Sequence, residues 1–447
     1  MKKYDVVVIG GSASGIATAV TGKNAYPNKS FLIIRKEKQA VVPCGIPYIF
    51  GTLHETEKDT ISDEIFKKNT IDLKIDEVTD INAEEKTCTT KKGEAIGYQK
   101  LVLATGSEAH IPGWLQGKDK ENIFIIPKDK TYLDNALQKF SSAEKIVTIG
   151  GGFIGVETSD ELKKMGKDVT IVEKLPHILG TAFDDEICIT VEKKLKDRDI
   201  ELITGTGVSK ILGDKKATGV QLENGEKLSA DAILLTVGYQ PNTKLATDAG
   251  LSLNERGFIK VDEYMHTDNH DIMAVGDCAE KRDFVTRKIS TTMLASTACA
   301  EARIAGMNLF KLSAMKTFSG TIAIFSTALG DTGYGVAGVT EKTATQEQFD
   351  VVTGSFTGVD KHPGTMPGVH KQTVKLIAAR EGGLVLGGEV IGGTSTGELT
   401  NLIGFIIQNK MTVNNILTAQ IGTHPLVTAP PTAYPLIKAA ESVARKL

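Results

Sequence analysis

The sequence predicts an α/β chain built on two Rossmann-like dinucleotide-binding units and closed by an α+β region. Three features carry this expectation. A glycine turn follows an apolar strand at Gly10, a second follows another apolar strand at Gly150, 140 residues further on, and from about residue 321 the chain becomes rich in Val, Thr, Ile and Gly.

Tyr4 to Ile9 reads as a buried parallel strand. Gly10-Gly11-Ser12-Ala13-Ser14-Gly15 then makes a tight turn, and the Ala-rich stretch from Ile16 to Val20 continues as helix. Strand, turn and helix in this order open a unit that places a pyrophosphate at the helix N-terminus. The pattern is G-x-S-x-x-G, so Ser12 stands where a middle glycine would let the backbone approach the phosphates. A small hydroxyl side chain still fits there. Taken alone, the turn could be a structural strand–helix junction, although dinucleotide binding is the favoured reading. The next strand, Phe31 to Ile34, is followed by Arg35 rather than an acid. Either Glu37 reaches the ribose, or Arg35 stacks on the adenine or meets a phosphate.

The second unit is fuller. Lys145 to Ile149 form a strand, and Gly150-Gly151-Gly152-Phe153-Ile154-Gly155-Val156-Glu157 gives the complete G-x-G-x-x-G. Asp168 to Val172 form the next strand and end in Glu173, 18 residues past Gly155. An acid there accepts hydrogen bonds from a ribose 2′-hydroxyl and repels a 2′-phosphate, which favours NADH over NADPH. Lys174 and His177 nearby temper that preference, and the alternative is a surface glutamate that closes a strand. Two dinucleotide units in one chain suggest two dinucleotides that exchange a hydride.

Composition narrows the class. With 41% hydrophobic and 24% charged residues and a net charge of −3, the chain shows no bias toward nucleic acid or acidic membranes. The apolar run after Met1-Lys2-Lys3 is too short for a signal-peptide core, and no 18-residue apolar stretch suggests a membrane span. The five cysteines, Cys44, Cys88, Cys188, Cys278 and Cys299, are odd in number, widely spaced and without a C-x-x-C pair. Disulfide scaffolds and metal sites are therefore not expected, and a cytoplasmic location is.

Further segments follow in a telling order: Val42-Pro43-Cys44-Gly45-Ile46-Pro47-Tyr48, Leu101-Val102-Leu103-Ala104-Thr105-Gly106-Ser107, Thr236-Val237-Gly238-Tyr239-Gln240-Pro241-Asn242 and Ile272-Met273-Ala274-Val275-Gly276-Asp277-Cys278. With the two turns, they make the chain resemble the pyridine nucleotide–disulfide oxidoreductases over essentially its whole length. The Cys44 segment is similar to the C-x-[LI]-P-Y of the single-cysteine branch, which includes coenzyme A disulfide reductases, NADH oxidases and NADH peroxidases.

This resemblance implies an FAD domain over residues 1–111 and 245–320, an inserted NAD(P) domain over 112–244, and a C-terminal dimerisation domain over 321–447. It implies a homodimer whose active site is completed across the interface. FAD is expected on Gly10, Ser12, Ala13 and Gly15, on Arg35 and Lys36, and on Pro43 beside the cysteine. Ala104, Thr105 and Gly106, the pair Gly276 and Asp277, and Ser296 and Thr297 would complete the flavin site. The nicotinamide cofactor is expected at Gly152, Phe153, Ile154, Glu157, Glu173 and Gly238. Phe153 sits where relatives carry an aromatic that covers the flavin until the nicotinamide displaces it, and it could equally be a core residue of the turn.

Cys44 is the expected redox residue, with a helix N-terminus and the flavin ring supplying a field that favours its thiolate. No second cysteine lies within 40 residues of it, so its oxidised form would be a mixed disulfide, a persulfide or a sulfenic acid. Ala13 replaces the histidine of NADH peroxidases and many NADH oxidases, which favours a small disulfide or persulfide acceptor over oxygen. Coenzyme A is a plausible thiol carrier, although only Lys23 remains of the basic pair that meets its phosphates in relatives. Tyr434 lies two residues beyond the matching Ala429-Pro430-Pro431-Thr432 segment. His424, in Thr423-His424-Pro425, resembles the acid–base of two-cysteine reductases or simply caps a loop. His362 and Met366 align with another substrate-facing segment. Oxygen reduction by an NADH oxidase, or electron delivery to a redox-protein partner, are the alternative activities.

Overall fold

The computed structural model describes residues 1–313 and 317–447, so residues 314–316, inside the second segment expected for FAD, lie outside the described residues. Its N-terminal sheet runs Asp72–Ile75, Phe31–Arg35, Lys2–Ile9, Ala95–Leu103, Thr87–Thr90, Val78–Asn82. The first four strands are parallel and the last two antiparallel. Val6, Val7 and Val8 are wholly buried, as a β-branched run must be when both faces of a sheet are covered. Ile272–Ala274 adds in parallel to the end of Ala95–Leu103, with Ile272 opposite Leu101. A strand from far along the chain thus completes the first sheet.

Between those strands the chain leaves through Ser107–Ala109 and returns through Tyr239–Pro241, which pair antiparallel. The excursion contains a second sheet, entirely parallel, in the order Glu201–Thr204, Asp168–Glu173, Lys145–Ile149, Ala232–Leu235, Ile123–Phe124. The C-terminal region is a five-stranded antiparallel sheet in the order Phe325–Leu329, Thr332–Gly338, Val385–Gly392, Lys371–Ala379, Val351–Val359. Helices Thr396–Gln408 and Pro435–Ala444 supply buried Leu399, Ile403, Leu436 and Val443 to its core.

One continuous apolar core joins the three regions. Ile46, Ile49 and Phe50, just after Cys44, pack with Val156, Leu162 and Phe183 of the inserted unit and with Leu329, Tyr334 and Val336 of the C-terminal sheet. A polar pin reinforces the junction. The buried Lys375 ammonium donates to Asp184 at 2.9 Å and Glu186 at 2.7 Å and pairs with Glu341 at 3.0 Å, while Glu389 accepts the amide of Asp184 at 2.8 Å. These carboxylates outweigh burial and hold the Lys375 ammonium well above its ordinary pKa. The segment carrying Cys44 is thereby held where all three regions meet.

Candidate active site

Each glycine turn ends in a helix built to receive an anion. Helices Ala13–Ala25 and Phe153–Lys164 start from extended N-cap residues, Ser12 and Gly152, and neither helix has a side-chain cap or an acid in its first turn. The first-turn amides of each helix are therefore left uncapped by side chains, and with the positive end of the helix dipole they can receive an anion. The approach is tight on the inner side. A Cβ on Gly10, at φ +116, would lie 2.1 Å from the Ala104 carbonyl oxygen, and one on Gly150, at φ +108, would lie 2.5 Å from that of Thr236. Outward, a Cβ on Gly152 meets nothing within 4 Å. This is the cradle a pyrophosphate needs, and the residues present fit a dinucleotide in both turns.

Behind the turns the units differ. The Glu173 carboxylate accepts the Gly151 amide at 2.6 Å and the Leu175 amide at 2.7 Å, which sets it at the edge of its turn, where a ribose would lie. Arg35 is interior. Its guanidinium donates twice to Asp63, both at 2.7 Å, and to the Glu37 and Lys38 carbonyls at 3.0 and 2.9 Å. Arg35 thus serves the fold here: it is buried, and these hydrogen bonds commit it to the loop that follows the strand rather than to an outward-facing phosphate. Lys36 is exposed, and the Glu37 side chain remains partly accessible beside it.

Cys44 is the one exposed cysteine of the five, all of them free thiols. It precedes a single 3₁₀ turn, Ile46–Ile49, pressed against helix Phe153–Lys164 so closely that a Cβ on Gly51 would sit 2.2 Å from the Glu161 carbonyl oxygen. The expected helix field is therefore weak, since a four-residue 3₁₀ turn has little dipole to offer. Although the residue keeps an exposed edge, the protein packed around its sulfur pushes the Cys44 thiol up: desolvation first, then the charge of Glu157, with Asp277 and Asp59 adding to it and Lys128 opposing. Asp59, buried behind Gly45, is itself pushed up to about 6 by burial. Glu157 is pushed up to about 7 by burial and by the charge of Glu161, against a 2.7 Å hydrogen bond from Thr327.

Asp277, whose charge acts on Cys44, follows Gly276, and the parallel pairing of their strands brings Gly276-Asp277 beside Ala104-Thr105-Gly106. The Asp277 carboxylate accepts from Ser107 Oγ at 2.7 Å and from Lys128 Nζ at 2.9 Å. Burial works against it, yet Lys128 and these hydrogen bonds hold its pKa below the ordinary carboxylate value. Beneath the Gly276 turn, buried Glu301 accepts the Gly276 amide at 2.7 Å, and buried Lys281 donates to the Gly276 and Ala279 carbonyls at 3.0 and 2.7 Å. Ser296 and Thr297 open helix Ala295–Met307; Ser296 is exposed, and Thr297 is buried against Thr321 at 2.9 Å.

Other expected residues lie apart from this cluster. Lys23 Nζ donates to the Pro27 and Lys29 carbonyls at 2.9 and 2.8 Å, so its charge closes a helix end. His424 is exposed, and its Nδ1 accepts the Leu426 amide at 3.3 Å. The His362 amide donates to the Pro425 carbonyl at 3.0 Å and its ring contacts the Thr428 carbonyl at 3.0 Å, which joins the 361–368 and 423–428 loops. Leu426 and Val427 stand exposed on that joined surface. Tyr434 begins the last helix, half-buried against the C-terminal core. Among the described residues, no hydrogen bond or ion pair links His424 or Tyr434 to Cys44 of the same chain.

This arrangement of two cradles around one thiol has a counterpart among known proteins. A family model for the pyridine nucleotide-disulphide oxidoreductases matches residues 4–302, and one for the dimerisation domain of the same family matches residues 324–434. The chain belongs to that family. A Methanocaldococcus jannaschii protein named NADH oxidase is 29% identical over 99% of this chain and 99% of its own length. A Pyrococcus horikoshii protein named NAD(P)H coenzyme A polysulfide/persulfide reductase is 30% identical over 87% of this chain and 88% of its own. A solved structure of a NAD-dependent persulfide reductase from A. fulgidus superimposes with a TM-score of 0.91 at 28% identity, covering 99% of this chain and 83% of that one.

Several members of the site escaped the sequence motifs. Lys128, Glu301, Lys281 and Asp59 belong to no glycine turn and no cysteine segment. Only an unpaired acid or base inside an apolar run could have hinted at them; Glu301, within Ala298-Cys299-Ala300-Glu301-Ala302, is the clearest such hint.

Proposed function

We propose that this enzyme passes electrons from NADH to a small disulfide or persulfide, with a coenzyme A-type thiol as carrier and Cys44 as the residue that exchanges sulfur. The observation behind this reading is the seating of one exposed thiol where Ala104–Gly106, Gly276–Asp277 and the Glu157 helix converge. FAD and NADH are its cofactors. The first turn with Gly106, Asp277 and Lys128 would hold FAD, and the second turn with Glu173 would hold NADH. Bound FAD supplies the two-electron chemistry that no side chain offers.

The chain's own residues have defined tasks. The Cys44 thiolate attacks one sulfur of the acceptor, forms a mixed disulfide and releases the other sulfur as a thiolate, which needs a proton. Since burial and nearby carboxylates disfavour the Cys44 thiolate, Lys128 is the residue of this chain that opposes them. His424 leaves its Nε2 edge to donate toward the departing thiolate, because Nδ1 already accepts an amide. In this reading a second copy presents its 423–428 loop to Cys44 across a dimer interface, in keeping with the match to a dimerisation domain.

Oxygen reduction is the second reading, favoured by the name of the M. jannaschii relative. Ala13 in place of a peroxide-processing histidine counts against it. Cys44→Ser separates the two. Disulfide or polysulfide reduction should fall at least about 10³-fold while NADH still bleaches the flavin. Undiminished disulfide turnover would overturn the first reading, and unchanged oxygen consumption alone would install the second.

A further inference from the structure

Phe153 opens the helix after the second glycine turn, and Glu157 lies one turn further along the same face. Both touch the first strand of the C-terminal sheet. The Phe153 ring stacks on Phe325 with centroids 5.1 Å apart and planes 8° apart, and Thr327 Oγ1 donates to the Glu157 carboxylate at 2.7 Å. Strand geometry explains the pairing. Within Phe325–Leu329, residues 325, 327 and 329 turn inward, whereas Ser326 and Ala328 are exposed. Two contacts spaced i, i+2 on the strand therefore meet two spaced i, i+4 on the helix. Phe183, wholly within the core and next to the pinned Asp184, closes the other side of Phe153 edge-on at 5.9 Å.

We propose that Phe325 and Thr327 form a two-point seat that positions Phe153 and Glu157 at the nicotinamide site, so that the first strand of the C-terminal domain sets the affinity for NADH. The proposal rests on reading the second glycine turn as the NADH site. Phe325 acts as a positioning residue: it need not touch either cofactor. An aromatic ring freed from its stack samples several rotamers, and only a fraction of them leaves room for the nicotinamide. Apparent affinity then falls in inverse proportion to that fraction.

The test is an anaerobic stopped-flow titration of flavin bleaching by NADH, which separates the dissociation constant from the limiting rate. Phe325→Leu should weaken NADH binding by about threefold to tenfold, the worth of one aromatic pair, with the limiting rate held within about twofold. Phe325→Tyr should restore wild-type binding. In a Phe153→Ala background, Phe325→Leu should add nothing, because the residue it positions is gone. Thr327→Val, nearly isosteric, should weaken NADH binding in the same direction. The seat is overturned if Phe325→Leu binds NADH like wild type, or if its defect persists undiminished without Phe153. A wild-type enzyme whose flavin NADH fails to bleach would instead bring down the assignment of the NADH site, and the seat with it.

Discussion

The two glycine turns share a backbone and differ in what stands behind it. In both, a glycine at positive φ passes within contact of a carbonyl oxygen, and in both the sixth and last residue of the turn, Gly15 or Gly155, would set its Cβ 2.0 Å from the carbonyl of the first. At the end of the following strand the pattern diverges: Arg35 is locked inward onto Asp63, whereas Glu173 is turned onto its own loop amides. Backbone demands repeat because any phosphate cradle imposes them. Side chains behind the cradle are free to serve either the ligand or the fold.

The harshest way to break this comparison is to fill the turns. Gly10→Ala and Gly150→Ala each force a Cβ against a backbone carbonyl that cannot yield, at a cost of about 3–5 kcal/mol. Their consequences should differ. Gly10→Ala should purify largely without flavin, while Gly150→Ala should keep its yellow colour and lose bleaching by NADH. Flavin content and the NADH titration check this, and loss of flavin in both would show that the turns are not independent.

Exchange of the divergent residues is the finer probe. Arg35→Met removes four hydrogen bonds but leaves Asp63 39% exposed and able to rehydrate, so the loss should be about 2–3 kcal/mol of stability with NADH binding unchanged. Glu173→Gln should do the reverse. Removing its charge relieves repulsion of a 2′-phosphate and should shift the NADH to NADPH preference toward NADPH by about tenfold, with little change in melting temperature. Steady-state kinetics with both nucleotides and a thermal melt decide between these outcomes.

The same contrast marks what the sequence could disclose. The strands Lys145–Ile149 and Asp168–Glu173 and both turns were legible because their requirements are local, fixed by glycine sterics and by apolar runs of strand length. The sequence left the role of Arg35 open because its partner Asp63 lies 28 residues away, beyond any local rule. Lys128 and Glu301 reach the Asp277 turn from elements 149 and 25 residues distant, and nothing in their own neighbourhoods names that destination. The weak field at Cys44 is hidden for a related reason: the expected helix N-terminus is one 3₁₀ turn, and the carboxylates of Glu157, Asp277 and Asp59 come to it from elsewhere in the chain.

Two acids, Glu301 fully and Glu157 partly buried, extend the comparison to pH. Glu301, under the first site, has Lys281 at 3.8 Å, whereas Glu157, beside the second, has a threonine hydroxyl and the acidic Glu161. Burial first, and then the Glu161 charge, push Glu157 up to about 7. A carboxyl whose folded pKa exceeds its unfolded value near 4.3 keeps its proton in the native state while the unfolded chain releases one. Stability therefore declines as pH rises from about 4.5 to about 7, and the decline is complete above that window. Glu157→Gln removes this titration and keeps an oxygen to accept from Thr327, so its melting curve should be flatter than wild type across that window. With allowance for partial solvent screening, the difference should be on the order of 1–2 kcal/mol. Thermal melts at pH 5 and pH 7.5 measure it directly. An unchanged slope in Glu157→Gln would mean that the carboxyl is already ionised in the native state, held so by charges at the first site rather than by its own surroundings.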